Sequence, residues 1–275
     1  MNRKNIDIDD NEIRIISPKG GGGSRLRLRR LFYAVACAAV VLVAVAYALF
    51  WSGDDATGSN ELTVTQAAAA PVAKKGYVEI ADTVAGDVAL IVLIPHEATP
   101  QLHIGANVLQ QSDVVMAMPA ADLRADNGEV VGACVIEGRL VSRGQAKSGF
   151  CAIIGGKVTI GAADATPFFE KAIETDGYFF RQYPLVVGNQ LVENKPKGRS
   201  LRKALAEWHG RTVVVLSRSR LTFHDFAQAL VDLGVSNAIY LVGSEASGFA
   251  VDASGRRIEW SEAKPFLRTH YIIWR

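Results

Sequence analysis

The feature that most constrains this chain is an uncharged apolar stretch at residues 31–51, LFYAVACAAVVLVAVAYALFW. At about 1.5 Å per residue, a helix of this length spans the roughly 30 Å hydrocarbon core of a bilayer. An arginine-rich segment, residues 25–30, precedes the stretch, and Asp54 and Asp55 follow it. The positive-inside rule then keeps the N-terminus in the cytoplasm and places the C-terminal part in the periplasm or outside the cell. We therefore predict a single-pass membrane protein that contacts the lipid bilayer through residues 31–51, with a cleaved signal peptide as the alternative.

The remainder of the chain divides into three parts by composition. Residues 1–30 form a polar cytoplasmic tail that contains a GGGGS stretch, and residues 52–75 are rich in Ala, Thr, Ser and Gly. Both compositions are typical of disordered or linker segments, because they offer too little apolar surface to bury. Residues 76–275 have the length and apolar content of one globular domain, which we expect on the far side of the membrane.

Short apolar runs bounded by Gly, Asn, Asp or Pro dominate the first part of this domain. VALIVLIP at residues 88–95 and GFCAIIGG at residues 149–156 are examples, and runs of this kind predict strands. The segment LTFHDFAQALVDLGV, residues 221–235, instead has apolar residues at helical spacing, with Thr222 as the expected N-cap. We therefore predict an α+β fold: a mixed, β-rich domain with one strong amphipathic helix, preceded by a single transmembrane helix.

Cysteine, histidine and basic residues limit the chemistry of the domain. Cys134 and Cys151 could form a disulfide in an oxidising compartment, but both stand in apolar runs where buried free thiols are equally at home, so both states remain open. The five histidines are dispersed without metal-ligand spacing, so we expect no metal and no cofactor. Basic residues of the domain are scattered, and we expect no nucleic-acid binding.

The strand RTVVVLS (residues 211–217), the helical segment after it and the sequence AIYLVGSEASG (residues 238–248) together resemble the C-terminal core of the phosphodiester glycosidase family. The resemblance implies the fold of that family, whose members include the enzyme that uncovers mannose 6-phosphate and bacterial proteins linked to exopolysaccharide. The chain departs from the family at both signature motifs. It has Val242-Gly243-Ser244 where the family has Asp-Gly-Gly, and Pro119-Ala120-Ala121 where the family has Asn-Gly-Gly. These departures imply a fold without its original catalytic equipment, because valine cannot act as an acid or a base.

Two carboxylates adjoin the altered motifs, Asp122 and Glu245, and they are the candidate catalytic residues. Carboxylates on opposite sides of a glycosidic or phosphodiester bond can divide the acid and base roles. Arg202 is the candidate for an arginine that the resemblance implies, because a guanidinium can hold a phosphate by two parallel hydrogen bonds. Ser244 and Gly243 complete the predicted substrate-binding set. For each of these residues, the simpler interpretation is a solvated turn or surface position.

We therefore predict a membrane-anchored, extracytoplasmic protein whose phosphodiester glycosidase-like domain is catalytically degenerate and binds an envelope glycan or a partner protein. The first alternative is an active hydrolase of sugar phosphodiesters with relocated acid and base residues. A second alternative is a structural component of an envelope complex. Convergence of Asp122, Arg202 and Glu245 on one cleft would favour the enzyme.

Overall fold

A computed structural model describes residues 76–145, 147–242, 248–260 and 268–275. Within these ranges the chain forms seventeen strands, two α-helices and one 3-10 helix. Strands account for 52% of the described residues and helices for 12%, so the predicted α+β class is wrong and the domain is mostly β. The predicted class relied too heavily on the helical pattern of residues 221–235. Nearly every other apolar run of the domain has only the length of a strand.

The membrane prediction falls outside the described part of the chain, as do the predicted tail and linker. Residues 1–75, which include the apolar stretch 31–51, are not among the described residues. Within the ranges given above, no helix combines the length and the apolar character needed to cross a membrane.

The largest sheet has seven antiparallel strands in the order β1-β2-β13-β12-β14-β10-β11. It begins with a hairpin whose register runs from the Tyr77–His96 pair to the Ala85–Val88 pair. Gly86 makes the two-residue turn possible because its φ is +57°, a value that glycine adopts at little cost. The strands are β1 (Tyr77–Ala85), β2 (Val88–His96), β10 (Pro184–Val187), β11 (Gln190–Leu191), β12 (Lys203–Trp208), β13 (Arg211–Ser217) and β14 (Val235–Leu241).

Two five-stranded sheets complete the domain, in the orders β16-β15-β4-β17-β3 and β6-β5-β9-β7-β8. A 3-10 helix, Ala106–Gln110, follows β3. The first of these sheets contains β3 (Pro100–Ile104), β4 (Met116–Pro119), β15 (Phe249–Val251), β16 (Arg257–Glu259) and β17 (His270–Trp274). The second contains β5 (Gly132–Ile136), β6 (Arg139–Gln145), β7 (Gly149–Ile154), β8 (Lys157–Ala162) and β9 (Tyr178–Gln182).

The helices α1 (Phe168–Glu174) and α2 (Phe223–Asp232) cover sheet faces. The predicted cap of α2 is confirmed, because the Thr222 hydroxyl accepts a 3.0 Å hydrogen bond from the backbone N–H of Asp225. The helix α2 packs on one face of the seven-stranded sheet through Phe223 and Phe226, which are fully buried. The opposite face of this sheet, called the inner face below, packs against residues of both smaller sheets in a shared core.

The two cysteines of the domain are buried, free thiols. Both lie opposite Phe180 of β9, Cys134 from β5 and Cys151 from β7. Two strand spacings of about 4.8 Å each separate the Cα atoms of the two cysteines, which are therefore roughly 10 Å apart. A disulfide cannot join Cα atoms that are more than about 7 Å apart. Burial raises the pKa of the Cys134 thiol to about 12 and that of Cys151 still further. Of the two states that the sequence left open, the structure shows the free thiols.

Candidate functional site

Three buried polar side chains point toward the shared core from three different sheets. Side chains alternate along a strand, so Lys203 shares the inner face with Leu205, Gln182 shares its face with Phe180, and His270 shares its face with Ile272. The three apolar residues of these pairs belong to one packed core cluster. A polar side chain in such a place has to be hydrogen-bonded or must have a function, because burying it without a partner is unfavourable.

A glycine brings two of the sheets into close contact near these residues. A Cβ atom on Gly149 would lie 2.4 Å from the carbonyl oxygen of Gln182 and 3.0 Å from Cγ2 of Ile239. Any larger residue would push β7 away from β14, so glycine is required for this approach. Two residues after Ile239, Leu241 pairs with Lys203 across β12 and β14. The carboxyl end of β9 therefore adjoins the end of the large sheet where Lys203 lies.

Asp122, one of the two predicted catalytic residues, lies just after β4 at the edge of this core. Its backbone carbonyl accepts a 3.0 Å hydrogen bond from the N–H of Val131, which fixes the turn. Its carboxylate forms an ion pair with the ammonium group of Lys147. The Lys147 side chain is only 8% exposed and that of Asp122 is 26% exposed, so the pair lies at the boundary between core and solvent.

Lys147 is held by several groups besides Asp122. Its ammonium donates a 2.8 Å hydrogen bond to Oε1 of Gln182 and lies 4.3 Å from the centre of the Tyr183 ring. Its backbone has a φ of +73°, which a non-glycine residue adopts only when its surroundings hold it there. Cation–π contact, amide and carboxylate together give the ammonium one defined position.

Arg181 fixes the backbone on which Lys147 is mounted. Its guanidinium donates hydrogen bonds to four carbonyl oxygens: Lys147 at 3.1 Å, Ser148 at 3.3 Å, Ala163 at 2.7 Å and Asp164 at 2.9 Å. Burial lowers the pKa of this guanidinium, and the nearby Asp164 carboxylate acts in the opposite direction. Because its donors are engaged by the backbone, Arg181 serves to position the loop before β7.

Gln182 carries an unused donor. Its Oε1 accepts from Lys147 and, at 2.9 Å, from the backbone N–H of Tyr183. Its Nε2 is buried and has no hydrogen-bond partner within the described part of the chain. The orientation of the amide is fixed by two bonds to the oxygen, and the NH₂ group lies in the core, because Gln182 is fully buried.

His270 and Lys203 add two groups whose burial changes their titration. Burial lowers the pKa of His270 to about 4, and both of its ring nitrogens lack a partner among the described residues. The backbone of Arg268 acts in the opposite direction and is outweighed by burial. Burial also lowers the pKa of Lys203 to about 7. At neutral pH His270 is therefore an uncharged imidazole, and burial favours the neutral amine of Lys203 over its ammonium form.

The predicted binding residue Arg202 is buried at the start of β12. Its Nε donates to the carbonyl of Leu221 at 3.0 Å and its Nη2 to that of Gly198 at 2.6 Å. The guanidinium carbon lies 4.1 Å from the centre of the Phe223 ring. This geometry joins the β12 strand to the start of α2. The role of Arg202 in binding a substrate stays a prediction.

The other predicted site residues, Gly243, Ser244 and Glu245, lie outside the described residues. Their convergence with Asp122 and Arg202 therefore stays a prediction. Of the site residues proposed from sequence, the described structure places Asp122 in a polar cluster with Lys147 and Gln182.

The sequence did not single out Lys147, Gln182, Lys203 or His270. A weak signal existed for both lysines, since each stands immediately before or at the start of an apolar strand. No local signal marked Gln182, because its partners lie far from it along the chain.

The three sheets and their shared core form a domain that is similar in fold to a phosphodiester glycosidase catalytic domain. Among solved structures, the catalytic domain of zebrafish N-acetylglucosamine-1-phosphodiester alpha-N-acetylglucosaminidase, auto-inhibited by its pro-peptide, matches with a TM-score of 0.54 at 11% identity. That match covers 72% of this chain and 82% of the zebrafish chain. A hypothetical protein from Synechocystis matches with a TM-score of 0.53 at 12% identity, over 73% of this chain and 62% of that chain.

No protein-family model and no curated protein matches the sequence. At 11% and 12% identity the structural matches establish a common fold. They support the fold-level part of the resemblance that the sequence suggested. A common fold does not define a function, because one fold hosts many activities.

Proposed function

We propose that this domain binds a glycan that carries a phosphodiester, at the cluster of Asp122, Lys147 and Gln182, and that it does not hydrolyse the ligand efficiently. The observation that carries the proposal is the ion pair between the Asp122 carboxylate and the nearly buried ammonium of Lys147. The fold shared with a phosphodiester glycosidase catalytic domain supports the choice of ligand class.

The ion pair argues against acid catalysis by Asp122. A general acid must hold a proton until the bond breaks, and a neighbouring positive charge favours the ionised form of a carboxylate. Hydrolysis by an acid and a separate base or nucleophile also requires a second carboxylate. The two carboxyl groups lie roughly 5 to 9.5 Å apart, on either side of the scissile bond. The sequence offers Glu245 for that place, and Val242 stands where the resembled family has its aspartate.

The same cluster is suited to binding an anion. An ammonium group donates to phosphate oxygen, and a partly desolvated ammonium gives a stronger charge-assisted bond than one in water. Lys147 exchanges its contact with Asp122 for one with the ligand, while Gln182 stays fixed by the backbone of Tyr183. Recognition thus depends on Lys147 more than on Asp122.

The source of the glycan follows from the predicted location of the domain. A position in the periplasm or outside the cell, argued from the charges that flank residues 31–51, would place the domain beside envelope polysaccharides. That location stays a prediction, as does the possibility that a protein is the partner.

Calorimetry and a turnover assay test the proposal together. The methyl diester of N-acetylglucosamine 1-phosphate should bind saturably, and Lys147→Met should weaken binding at least tenfold. Lys157→Met, which changes an exposed lysine at the start of β8, is the matched control and should leave binding unchanged. Because Lys147→Met leaves Asp122 unpaired, the double variant with Asp122→Asn separates loss of binding from loss of stability.

An aryl diester of N-acetylglucosamine 1-phosphate then distinguishes binding from hydrolysis. We expect no release of the aryl phosphate above the uncatalysed rate. Release that falls by orders of magnitude in Asp122→Ala would establish the active hydrolase instead. Absence of binding by the wild-type protein would refute the proposal altogether.

A further inference from the structure

Exposed apolar and basic side chains meet at one end of the seven-stranded sheet. The basic loop, residues 218–220, has the sequence Arg-Ser-Arg and follows β13. On one side of it, the backbone N–H of Arg218 donates a 3.1 Å hydrogen bond to the carbonyl of Ala89, and Ala89 pairs with Val84 of β1. Two strand spacings of about 4.8 Å therefore separate Arg218 from Val84, which is 67% exposed.

Leu201 lies on the other side of the basic loop. The N–H of Ser217 donates to the carbonyl of Arg202 at 2.9 Å, and Ser200 and Leu221 exchange backbone hydrogen bonds of 3.1 and 2.8 Å. The residues between these two pairs, Leu201 and the basic loop, therefore lie opposite each other. Leu201 is 38% exposed, so the basic loop has an exposed apolar residue on either side.

The two apolar residues project from the same face of the sheet. Side chains alternate along a strand, so Val84 lies on the inner face with the core residue Val78. The side chain of Arg202 points toward α2, and that of its neighbour Leu201 therefore points to the inner face. Arg218 lies between the two apolar residues, and its guanidinium reaches a carboxylate of β1. These residues thus form one exposed surface.

Unpaired charges near this surface are mainly positive. Arg199 and Arg218 form ion pairs with aspartates. Three further basic side chains are exposed and have no ionic partner within the described ranges: Lys195, Lys197 and Arg220. Asp87, in the β1–β2 turn, is an exposed carboxylate that also lacks such a partner, so the three cations leave an excess of positive charge.

Buried groups hold both chain segments of this surface in place. The guanidinium of Arg202 donates to the carbonyls of Gly198 and Leu221, one in each segment. The Ser217 hydroxyl accepts a 2.8 Å hydrogen bond from the N–H of Arg202 and donates one of 2.8 Å to the carbonyl of Ser219. Because the backbone is fixed before any contact is made, little of it has to be ordered on binding.

We propose that this end of the sheet docks on a lipid bilayer that contains anionic phospholipids. Val84 and Leu201 enter the interfacial region, and the surrounding basic side chains contact headgroup phosphates. A soluble polyanion would bind the cations and leave both apolar side chains in water, whereas a bilayer surface accommodates both kinds of residue. The proposal is independent of the phosphodiester site, because none of these residues belongs to the cluster of Asp122, Lys147 and Gln182.

The length of chain outside the described ranges is compatible with this docking. Residues 52–75 separate Gly76 from the apolar stretch that predicts a membrane helix. At roughly 3.3 Å per residue, an extended segment of this length reaches about 80 Å. From Tyr77 to Val84, β1 spans only about 25 Å. The predicted anchor therefore allows the docking surface to reach the same bilayer, at a high effective concentration.

Fluorescence quenching in nanodiscs tests the proposal. The full chain carries a fluorophore on Ser219→Cys in a Cys37→Ser background, in which Cys134 and Cys151 are buried and stay unlabelled. The nanodiscs contain brominated phosphatidylcholine, alone or with about 30% phosphatidylglycerol. We expect the bromine atoms to quench the label at least threefold more in the nanodiscs with phosphatidylglycerol, and 0.5 M salt to remove that difference.

A second label position and matched variants provide the controls. A label on Arg211→Cys, at the opposite end of β13 from the basic loop, should not be quenched in either lipid. Leu201→Asn and Arg220→Gln should each reduce quenching of the first label by half or more. Leu140→Asn and Lys157→Gln, which change an exposed leucine of β6 and an exposed lysine of β8, should leave it unchanged.

The outcomes decide between the possible partners. Equal quenching of the two labels, or equal quenching with and without phosphatidylglycerol, would overturn the proposal, as would equal effects of the docking and control variants. A response of the Ser219 label to dextran sulfate, without quenching in any nanodisc, would assign the surface to a soluble polyanion instead. Each of these results leaves ligand binding at Lys147 standing, because calorimetry measures it separately.

Discussion

His270 predicts a dependence of stability on pH that can be measured directly. This imidazole lies at the start of β17, is 5% exposed and has no hydrogen-bond partner for either ring nitrogen within the described residues. Burial lowers its pKa from 6.5 to about 4. The unfolded chain therefore binds a proton at a higher pH than the folded protein does.

The sign and the magnitude follow from linkage. Because the folded-state pKa is the lower one, the contribution of His270 is complete above pH 6.5 and is lost as the pH falls from 6.5 to 4. At about 1.36 kcal/mol per pKa unit, the loss reaches about 3 kcal/mol near pH 4. Below that pH the folded protein is protonated as well, and this contribution changes no further.

Urea denaturation of the wild type and of His270→Gln at pH 7.5, 5.5 and 4 tests the prediction. The stability of the wild type relative to the variant should fall by about 3 kcal/mol over this range. Effects of the carboxylates are common to both proteins and cancel in the comparison. His224→Gln, which removes an exposed imidazole at the start of α2, is the matched control. A constant difference between wild type and His270→Gln would refute the argument, as would an NMR titration of the His270 ring centred near pH 6.5.

Four further measurements address other parts of the structure. Cys134 and Cys151 should both count as free thiols and should react with a thiol reagent only after unfolding; a single free thiol or none would contradict their register across Phe180. Arg181→Met should lower the free energy of unfolding by on the order of 3 kcal/mol, because four carbonyls lose a charged donor. The free energy of unfolding of Lys203→Met relative to that of the wild type should be higher at pH 7 than at pH 10. The pKa of the wild-type lysine is lowered to about 7, so the wild-type protein loses stability as the pH falls from 10.5 to 7. Thr222→Ala should cost about 1 kcal/mol in urea denaturation through loss of the α2 cap, and an unchanged midpoint would argue against the cap.

Local features of the fold were readable from the sequence because local chemistry determines them. The turn at Glu137–Gly138, where a glycine separates two apolar runs, forms with φ values of +49° and +70°. The cap at Thr222 and the helix after it were predicted for the same reason. The class was predicted wrongly because one strong amphipathic pattern outweighed many short strands, each of which carries a weaker signal.

The site was less predictable because its contacts join distant parts of the chain. Asp122 was selected through its place beside an altered motif, but its partner Lys147 lies in the loop before β7, 25 residues further along the chain. The contact between Lys147 and Gln182 depends on β7 and β9 being neighbours. Strand order of this kind is set by packing of the whole domain, and a single sequence does not specify it.

The four hydrogen bonds of Arg181 also have a mechanical consequence. They tie the loop that carries Lys147 to the segment that leads into α1, so neither part can change position without breaking a bond of the other. The loop and the segment therefore behave as one mechanical unit, and ordering of either part lowers the conformational entropy that the other has to lose.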